Sequence, residues 1–244
     1  MTTLTTFSDL PIASPLAGSV ELLGEAKPRT NSQAERSSAL NLSSAIASSL
    51  PPEQQVQTAG ERVGLAEIAD RGLLNIRGRD AEGMLSSLYT TPEMKIGDVV
   101  TLQDGLLARL RRDEYALLTH DLRDTMDRLA RVTASQRVTL TDITHGRCGM
   151  LLAGAYSQEV VPKICTLDFS ERHFPTLHAA QTSLAKARTL IIRADIEEIP
   201  AYGLFVDRSL AAYVWEVVCD TAQEFGGIAL SQDALQHLRK MSLW

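Results

Sequence analysis

The chain has 244 residues, 44% of them hydrophobic and 22% charged, enough for one large domain or two small ones with a packed core. Its formal net charge of −6 argues against a nucleic-acid partner, which calls for a basic face. No apolar run reaches the roughly 20 residues that span a bilayer, and the first residues lack the basic-then-apolar pattern of a secretory signal.

Three cysteines, Cys148, Cys165 and Cys219, stand in apolar surroundings and fit buried thiols of a reducing compartment better than a disulfide framework. The expectation is a soluble, cytoplasmic globular protein without a membrane partner. Residues 1–58 are set apart by "TNSQAERSSALNLSSAIASSLPPEQQ", rich in Ser, Ala, Asn and Gln and closed by Pro51-Pro52. So little apolar area predicts a flexible N-terminal arm. Alternatives are a weak helix over "SSALNLSSAIASSL" that forms on a partner, and a targeting peptide, which Asp9, Glu21 and Glu25 interrupt.

From Arg62 the sequence repeats itself. "RVGLAEI" at 62–68 returns 75 positions on as "RVTLTDI" at 137–143. A second apolar run follows in each copy ("GLLNIRG", "GMLLAG"), then a glycine, Gly78 or Gly154, and a short helical pattern, "RDAEGMLSSLY" or "AYSQEVVPKIC". The later parts correspond too. "DEYALLTHDLRDTMDRLARV" (113–132) and "PAYGLFVDRSLAAYVWEVV" (200–218) each run from a Tyr through an apolar strand to an aspartate, then into a helix. Asp121 and Asp207 stand where N-caps belong. The reading is α+β: a pseudo-duplicated fold of two similar sheet-plus-helix halves, 59–135 and 136–244, the second carrying the C-terminal helices.

A helix is predicted over 208–225, with stripes Leu210, Val214, Val217, Ala222 and Ala211, Trp215, Val218, and a left-handed stop at Gly226. It reads first as a core wall. Arg208, Tyr213 and Trp215 are the residues through which it could also meet another subunit.

No Gly-rich phosphate loop and no GxSxG elbow occurs. His145, Cys148, His173 and His178 come nearest to metal spacing but lack the tight paired turns of a closed zinc site. Cys148 opens an apolar strand, so it reads as packed rather than nucleophilic. Asp195, Glu197 and Glu198 read as a solvated loop, and Asp104 as a hairpin turn before Gly105. Either group could hold a polar heterocycle through charge-assisted hydrogen bonds.

"RVGLAEIADRGLLNIRGRDAEGML" resembles the opening of the folate-binding module of the glycine-cleavage aminomethyltransferase (T-protein) family, through Gly64-Leu65, Gly78, Asp80-Ala81 and Leu85. The later "IIRADIEEIPAYGLFVDRSLAAYVWEVVCDTAQEFG" is similar to a second block of that family. The nearer resemblance is to the γ-subunit family of heterotetrameric sarcosine oxidases. It rests on "SPLAG" at 14–18, the compact central hairpin, and the ending Arg208-Ser209, Ala212, Trp215 and Glu224-Phe225-Gly226.

That resemblance implies the T-protein N-terminal fold. The family's "GG-I-x-D-D" hairpin, whose aspartate would sit beside the folate, has contracted here to Gly105 followed by Leu106, Leu107 and Ala108. Aligned without gaps, the family's pterin-binding Glu falls on Ile199, followed by Pro200, with Glu198 one residue away. The barrel domain of true aminomethyltransferases does not follow before residue 244. The expectation is a non-catalytic γ-type subunit of a flavin-dependent sarcosine oxidase, binding no cofactor and no metal itself. It would dock on larger α, β and δ subunits that carry FAD, FMN, NAD and tetrahydrofolate. The alternative is a standalone tetrahydrofolate-binding, aminomethyltransferase-like protein anchored by Asp104 or Glu198.

Overall fold

The structure is a computed structural model that describes residues 50–68, 70–239 and 244. In chain order it runs α1 (Pro52–Glu61), β1 (Gly64–Ile68), β2 (Gly72–Arg77), α2 (Ala81–Tyr89), β3 (Val99–Leu102), β4 (Gly105–Arg111), β5 (Glu114–Thr119), α3 (Leu122–Thr133) and β6 (Thr139–Asp142). It continues with β7 (Arg147–Ala153), α4 (Ser157–Ile164), β8 (His178–Leu184), β9 (Ala187–Arg193), β10 (Ala201–Asp207), α5 (Ala211–Gln223), β11 (Ile228–Ala229) and α6 (Gln232–Arg239). The fold is α+β, as the alternation of patterns predicts.

The strands form two sheets, β3-β4-β5-β2-β6 and β11-β1-β7-β10-β9-β8. The repeat is visible in these orders. With β11 set aside, β6-β2-β5-β4-β3 and β1-β7-β10-β9-β8 are the same arrangement built from the two copies. Each copy, however, gives its leading strand to the sheet of the other. β1 pairs antiparallel with β7, Gly64 opposite Ala153, and β6 pairs antiparallel with β2, Asn75 opposite Thr141. The compact units among the described residues are therefore 70–147 and 50–68 together with 148–244, rather than the contiguous halves 59–135 and 136–244.

Matching glycines make this arrangement possible. Gly78 and Gly154 close the strands β2 and β7 at φ of 151° and 139°, a region that side-chain-bearing residues avoid. A Cβ on Gly78 would lie 2.0 Å from the Arg137 carbonyl oxygen, and one on Gly154 would lie 2.4 Å from that of Arg62. Arg62 and Arg137 are the first residues of the two repeat copies, so the same contact is built twice.

In the first unit, α2 and α3 contribute Met84, Leu85 and Leu129 to a core shared with Leu74 and Leu107 of the sheet. Asp121 caps α3 as predicted, accepting from the Asp124 N–H at 2.9 Å. In the second unit, Val160 of α4 and Val214 and Val218 of α5 share a core with Met150 and Leu204.

The helix predicted over 208–225 is α5, preceded by a 3₁₀ turn over 208–210 and closed by Gly226 at φ 72°. That extra turn removes Asp207 from the capping position, and its side chain makes no cap bond there. Ala211, Val214, Val218 and Ala222 are buried as predicted, whereas Leu210 is 39% exposed. Trp215 is half-buried against the core.

Residues 52–61, whose first part falls within the predicted arm, form α1. Its buried face is Gln55 and Ala59. The Gln55 amide donates to the Leu50 carbonyl at 2.9 Å and accepts from the Ser231 N–H at 2.9 Å. The remainder of the predicted arm, 1–49, lies outside the described residues.

Replacing Gly154 or Gly78 by alanine combines left-handed strain with a backbone clash and lowers stability by about 2 kcal/mol or more. Gly83→Ala, at an open position of α2 with nothing within 4 Å, raises it by about 0.5–1 kcal/mol. Urea unfolding of the three variants measures both signs.

Candidate functional site

Two places answer to the carboxylates singled out in the sequence, one in each compact unit. In the first, Gln103 and Asp104 form the two-residue turn of the β3–β4 hairpin, closed by the pairing of Leu102 with Gly105. Asp104 is already committed: its carboxylate is ion-paired with Arg128 of α3 and accepts from the Thr125 hydroxyl at 3.3 Å. The Arg128 guanidinium lies 5.7 Å from the Tyr89 ring centroid, and burial, followed by the Asp104 charge, pushes the Tyr89 hydroxyl pKa up.

Beyond that turn, Leu106, Leu107 and Ala108 of β4 are fully buried. The next residue, Arg109, is 8% exposed. Its guanidinium donates to both carboxylate oxygens of Glu82, at 2.7 and 3.0 Å, and to the Met94 and Arg112 carbonyls. It also lies 5.5 Å from the Tyr115 ring centroid. Burial, the largest single influence, would make the Arg109 proton easier to lose, but the Glu82 hydrogen bonds together with the charges of Tyr115, Glu82 and Glu93 outweigh it and raise the pKa. The strand thus carries a neutralised cation after three apolar residues.

In the second unit, Asp195 is no member of a solvated loop. Arg193, only 3% exposed, donates to both Asp195 oxygens at 2.9 and 2.8 Å and to the Phe174 carbonyl at 2.7 Å, and pairs with Glu171 at 2.7 Å. Asp195 in turn accepts from the Ala201 N–H at 3.2 Å. The loop was misread because a buried arginine two residues away draws the carboxylate inward. Arg193 sits 5.8 Å from the centroid of Tyr202, whose hydroxyl pKa is pushed up to about 12 chiefly by burial.

Glu197 and Glu198 are exposed, on a tight turn in which Ile196 and Ile199 exchange both backbone hydrogen bonds at 2.9 Å. Asp104 and Glu198 thus belong to different units, one bound in an ion pair and one exposed. Asp104 spends one carboxylate oxygen on Arg128 and Thr125 and keeps the other, Oδ1, buried without a hydrogen-bond partner, whereas Glu198 lies open to solvent. At the positions matched to the family's folate contacts stand Leu106, Leu107 and Ala108 of β4 and Ile199, with Glu198 beside it.

Cys148 is 1% exposed in β7. Burial, followed by Glu67, pushes its thiol up to about 12, which rules out a nucleophilic thiolate near neutrality. Among the described residues no three His, Cys, Asp or Glu side chains converge on one metal position. His173 instead lies 2.7 Å from Asp168 and 3.1 Å from the Ser170 hydroxyl. Arg208 and Tyr213 are exposed, Tyr213 by 47%, beside Leu210. No helix among the described residues is long and apolar enough to cross a membrane.

The profile of the GCVT N-terminal domain matches residues 49–241. The chain belongs to the GCVT N-terminal domain family. Among curated relatives, sarcosine oxidase subunit alpha of Corynebacterium sp. (strain U-96) is 23% identical over 206 residues, which are 76% of this chain and 21% of that protein. Mitochondrial dimethylglycine dehydrogenase of Mus musculus is 24% identical over 205 residues, 78% of this chain and 23% of that protein. This member of the family thus spans about a fifth of the length of these relatives.

Among solved structures, a chain of the heterotetrameric sarcosine oxidase from Corynebacterium sp. U-96 superposes with a TM-score of 0.63 at 22% identity, over 78% of this chain and 96% of that one. The glycine cleavage system aminomethyltransferase T from Bartonella henselae gives 0.66 at 15% identity, over 78% and 54%. Both likenesses establish the GCVT fold.

Asp195→Ala leaves the buried Arg193 with Glu171 as its one carboxylate and two donors unmet, and costs about 2–3 kcal/mol by denaturant unfolding, whereas Glu198→Ala costs under about 0.5 kcal/mol. Cys148 is protonated in the folded chain up to about pH 12 but ionises near pH 8.5 once unfolded. Its contribution to stability is therefore complete below about pH 8.5 and is lost as the pH rises towards 12. Iodoacetamide at pH 8 labels Cys148 only at the rate at which the protein opens, and the rate under increasing urea measures this.

Proposed function

We propose that this chain is a non-catalytic, γ-type subunit of a heteromeric, flavin-dependent sarcosine oxidase acting on sarcosine or a related N-methyl amine in the cytoplasm. Its task is to dock on larger subunits that carry the flavins, the dinucleotide and the folate. The observation that carries this reading is β4. The strand offers Leu106, Leu107 and Ala108, all buried, and an arginine already neutralised by Glu82, so the fold is kept without an acid to work on a ligand. The match to 96% of one chain of a heterotetrameric sarcosine oxidase supports a place in a complex of that kind. The exposed Arg208, Leu210 and Tyr213 at the head of α5 supply residue types suited to an interface.

Gentle affinity purification of the tagged chain from its own host tests the reading. Larger chains co-elute, together with the visible absorbance of oxidised flavin. A lone, colourless chain overturns it. Tyr213→Ala lowers the recovery of those chains while leaving the thermal midpoint of the isolated subunit within about 2 °C. Tetrahydrofolate leaves that midpoint unmoved. Stabilisation of about 2.7 kcal/mol at a hundredfold excess over Kd would instead favour the standalone folate-binding alternative.

A further inference from the structure

The strands that begin the two repeat copies differ at one edge. Outside β1 lies β11, parallel to it, with Gly64 opposite Ile228 and Leu65 opposite Ala229. The Val63 and Leu65 carbonyls accept from the Ile228 and Leu230 N–H groups at 3.0 and 2.8 Å. Its sister β6 is the last strand of its sheet, and among the described residues no strand lies beyond it.

The direction of the β6 backbone follows from its pairing. Leu74 stands opposite Asp142 and Arg77 opposite Thr139, and the Ile143 N–H donates to the Leu73 carbonyl at 3.0 Å. Hydrogen-bonded pairs alternate in an antiparallel ladder. Thr139 and Thr141 therefore bond β2, while Leu140 and Asp142 turn their N–H and C=O groups outward. Leu140 is the repeat counterpart of Leu65, whose carbonyl is taken by Leu230. Thr139, Thr141 and Asp142 are exposed. Between 139 and 142 there is no Pro, Lys or bulge, three of the devices by which open edges are blunted; the strand is short and its one charge is Asp142 at its end.

We propose that the outer edge of β6 receives a short apolar strand from a partner subunit, running parallel to it as β11 runs along β1. The sister edge defines the chemistry: a stretch like Ile228-Ala229-Leu230, whose N–H groups bond the Val138 and Leu140 carbonyls. Among the described residues, Ile228-Ala229-Leu230 is already engaged on β1. The source of the strand rests on the heteromeric reading given above.

Hydrogen exchange at the Leu140 and Asp142 amides, in the purified complex and in the free chain, tests this. Both amides slow by about tenfold or more in the complex. Leu140→Pro removes an N–H that points away from β2, a place where an edge strand tolerates proline. Because the Leu140 side chain packs against the core of its unit, the reference is Leu140→Ala, which gives up the same contact but keeps the N–H; the proline variant recovers about tenfold less complex than the alanine one. If the proline form does not fold, the exchange measurement on the unaltered chain decides the matter. A complex in which both amides exchange at the free-chain rate overturns this inference and leaves the heteromeric reading standing. Protection already present in the free chain also overturns it, because the strand is then the chain's own or a second copy's. Absence of any co-eluting subunit overturns both.

Discussion

The close approach of the Arg62 carbonyl to Gly154, and of the Arg137 carbonyl to Gly78, governs the rest of the architecture. Each repeat begins with a strand that leaves its own copy and completes the other sheet, so the opening residue of that strand must pass the strand-to-helix junction at the end of its neighbour. Only a residue without a side chain leaves room there, at oxygen-to-Cβ distances of 2.0–2.4 Å. The local hydrogen bonds reinforce the same crossing. Tyr156 donates its N–H to the Arg62 carbonyl at 2.9 Å, and Asp80 accepts from the Arg137 N–H at 2.9 Å and from its guanidinium. One junction, used twice, thereby fixes the registers of β1 and β6.

The charged residues that matter are those drawn inward. Arg109 and Arg193 are both more than nine-tenths buried, and each meets a bidentate carboxylate, a backbone carbonyl and an aromatic ring. Burying a guanidinium is costly unless its donors are met; Arg193 meets that condition, whereas Arg109 keeps its Nε buried without a hydrogen-bond partner.

Much of this fold was legible in the sequence because it is written there twice. The pairing of "RVGLAEI" with "RVTLTDI" located β1 and β6, and the glycines after the second apolar runs proved to be the junction residues. What escaped were features decided at long range. α1 buries a glutamine, so its composition resembles a solvated arm until Ser231, 176 residues away, is seen to bond it. The Asp207 cap failed because a 3₁₀ turn intervenes, a choice made by packing rather than by the Asp-Arg-Ser text. Arg109 and Arg193 each stand in an apolar strand, and that was the available signal: a lone cation among buried residues must have found a carboxylate. Their partners Glu82 and Glu171 lie 27 and 22 positions earlier, beyond any local pattern.

The exchange of leading strands also sets a timetable for synthesis. Residues 70–147 hold one unit in an unbroken stretch, whereas Gly64 pairs with Ala153, 89 positions later. At roughly 5–20 residues per second, β1 leaves the ribosome on the order of 4–18 seconds before its partner exists. For that interval the Gly-Leu-Ala-Glu-Ile segment is a nascent strand with an unsatisfied backbone, while an entire unit translated after it can already close. The earliest strand among the described residues is therefore secured only after the whole 70–147 unit has been made, and a pause in translation between residues 68 and 153 would prolong its exposure to chaperones and to other nascent chains.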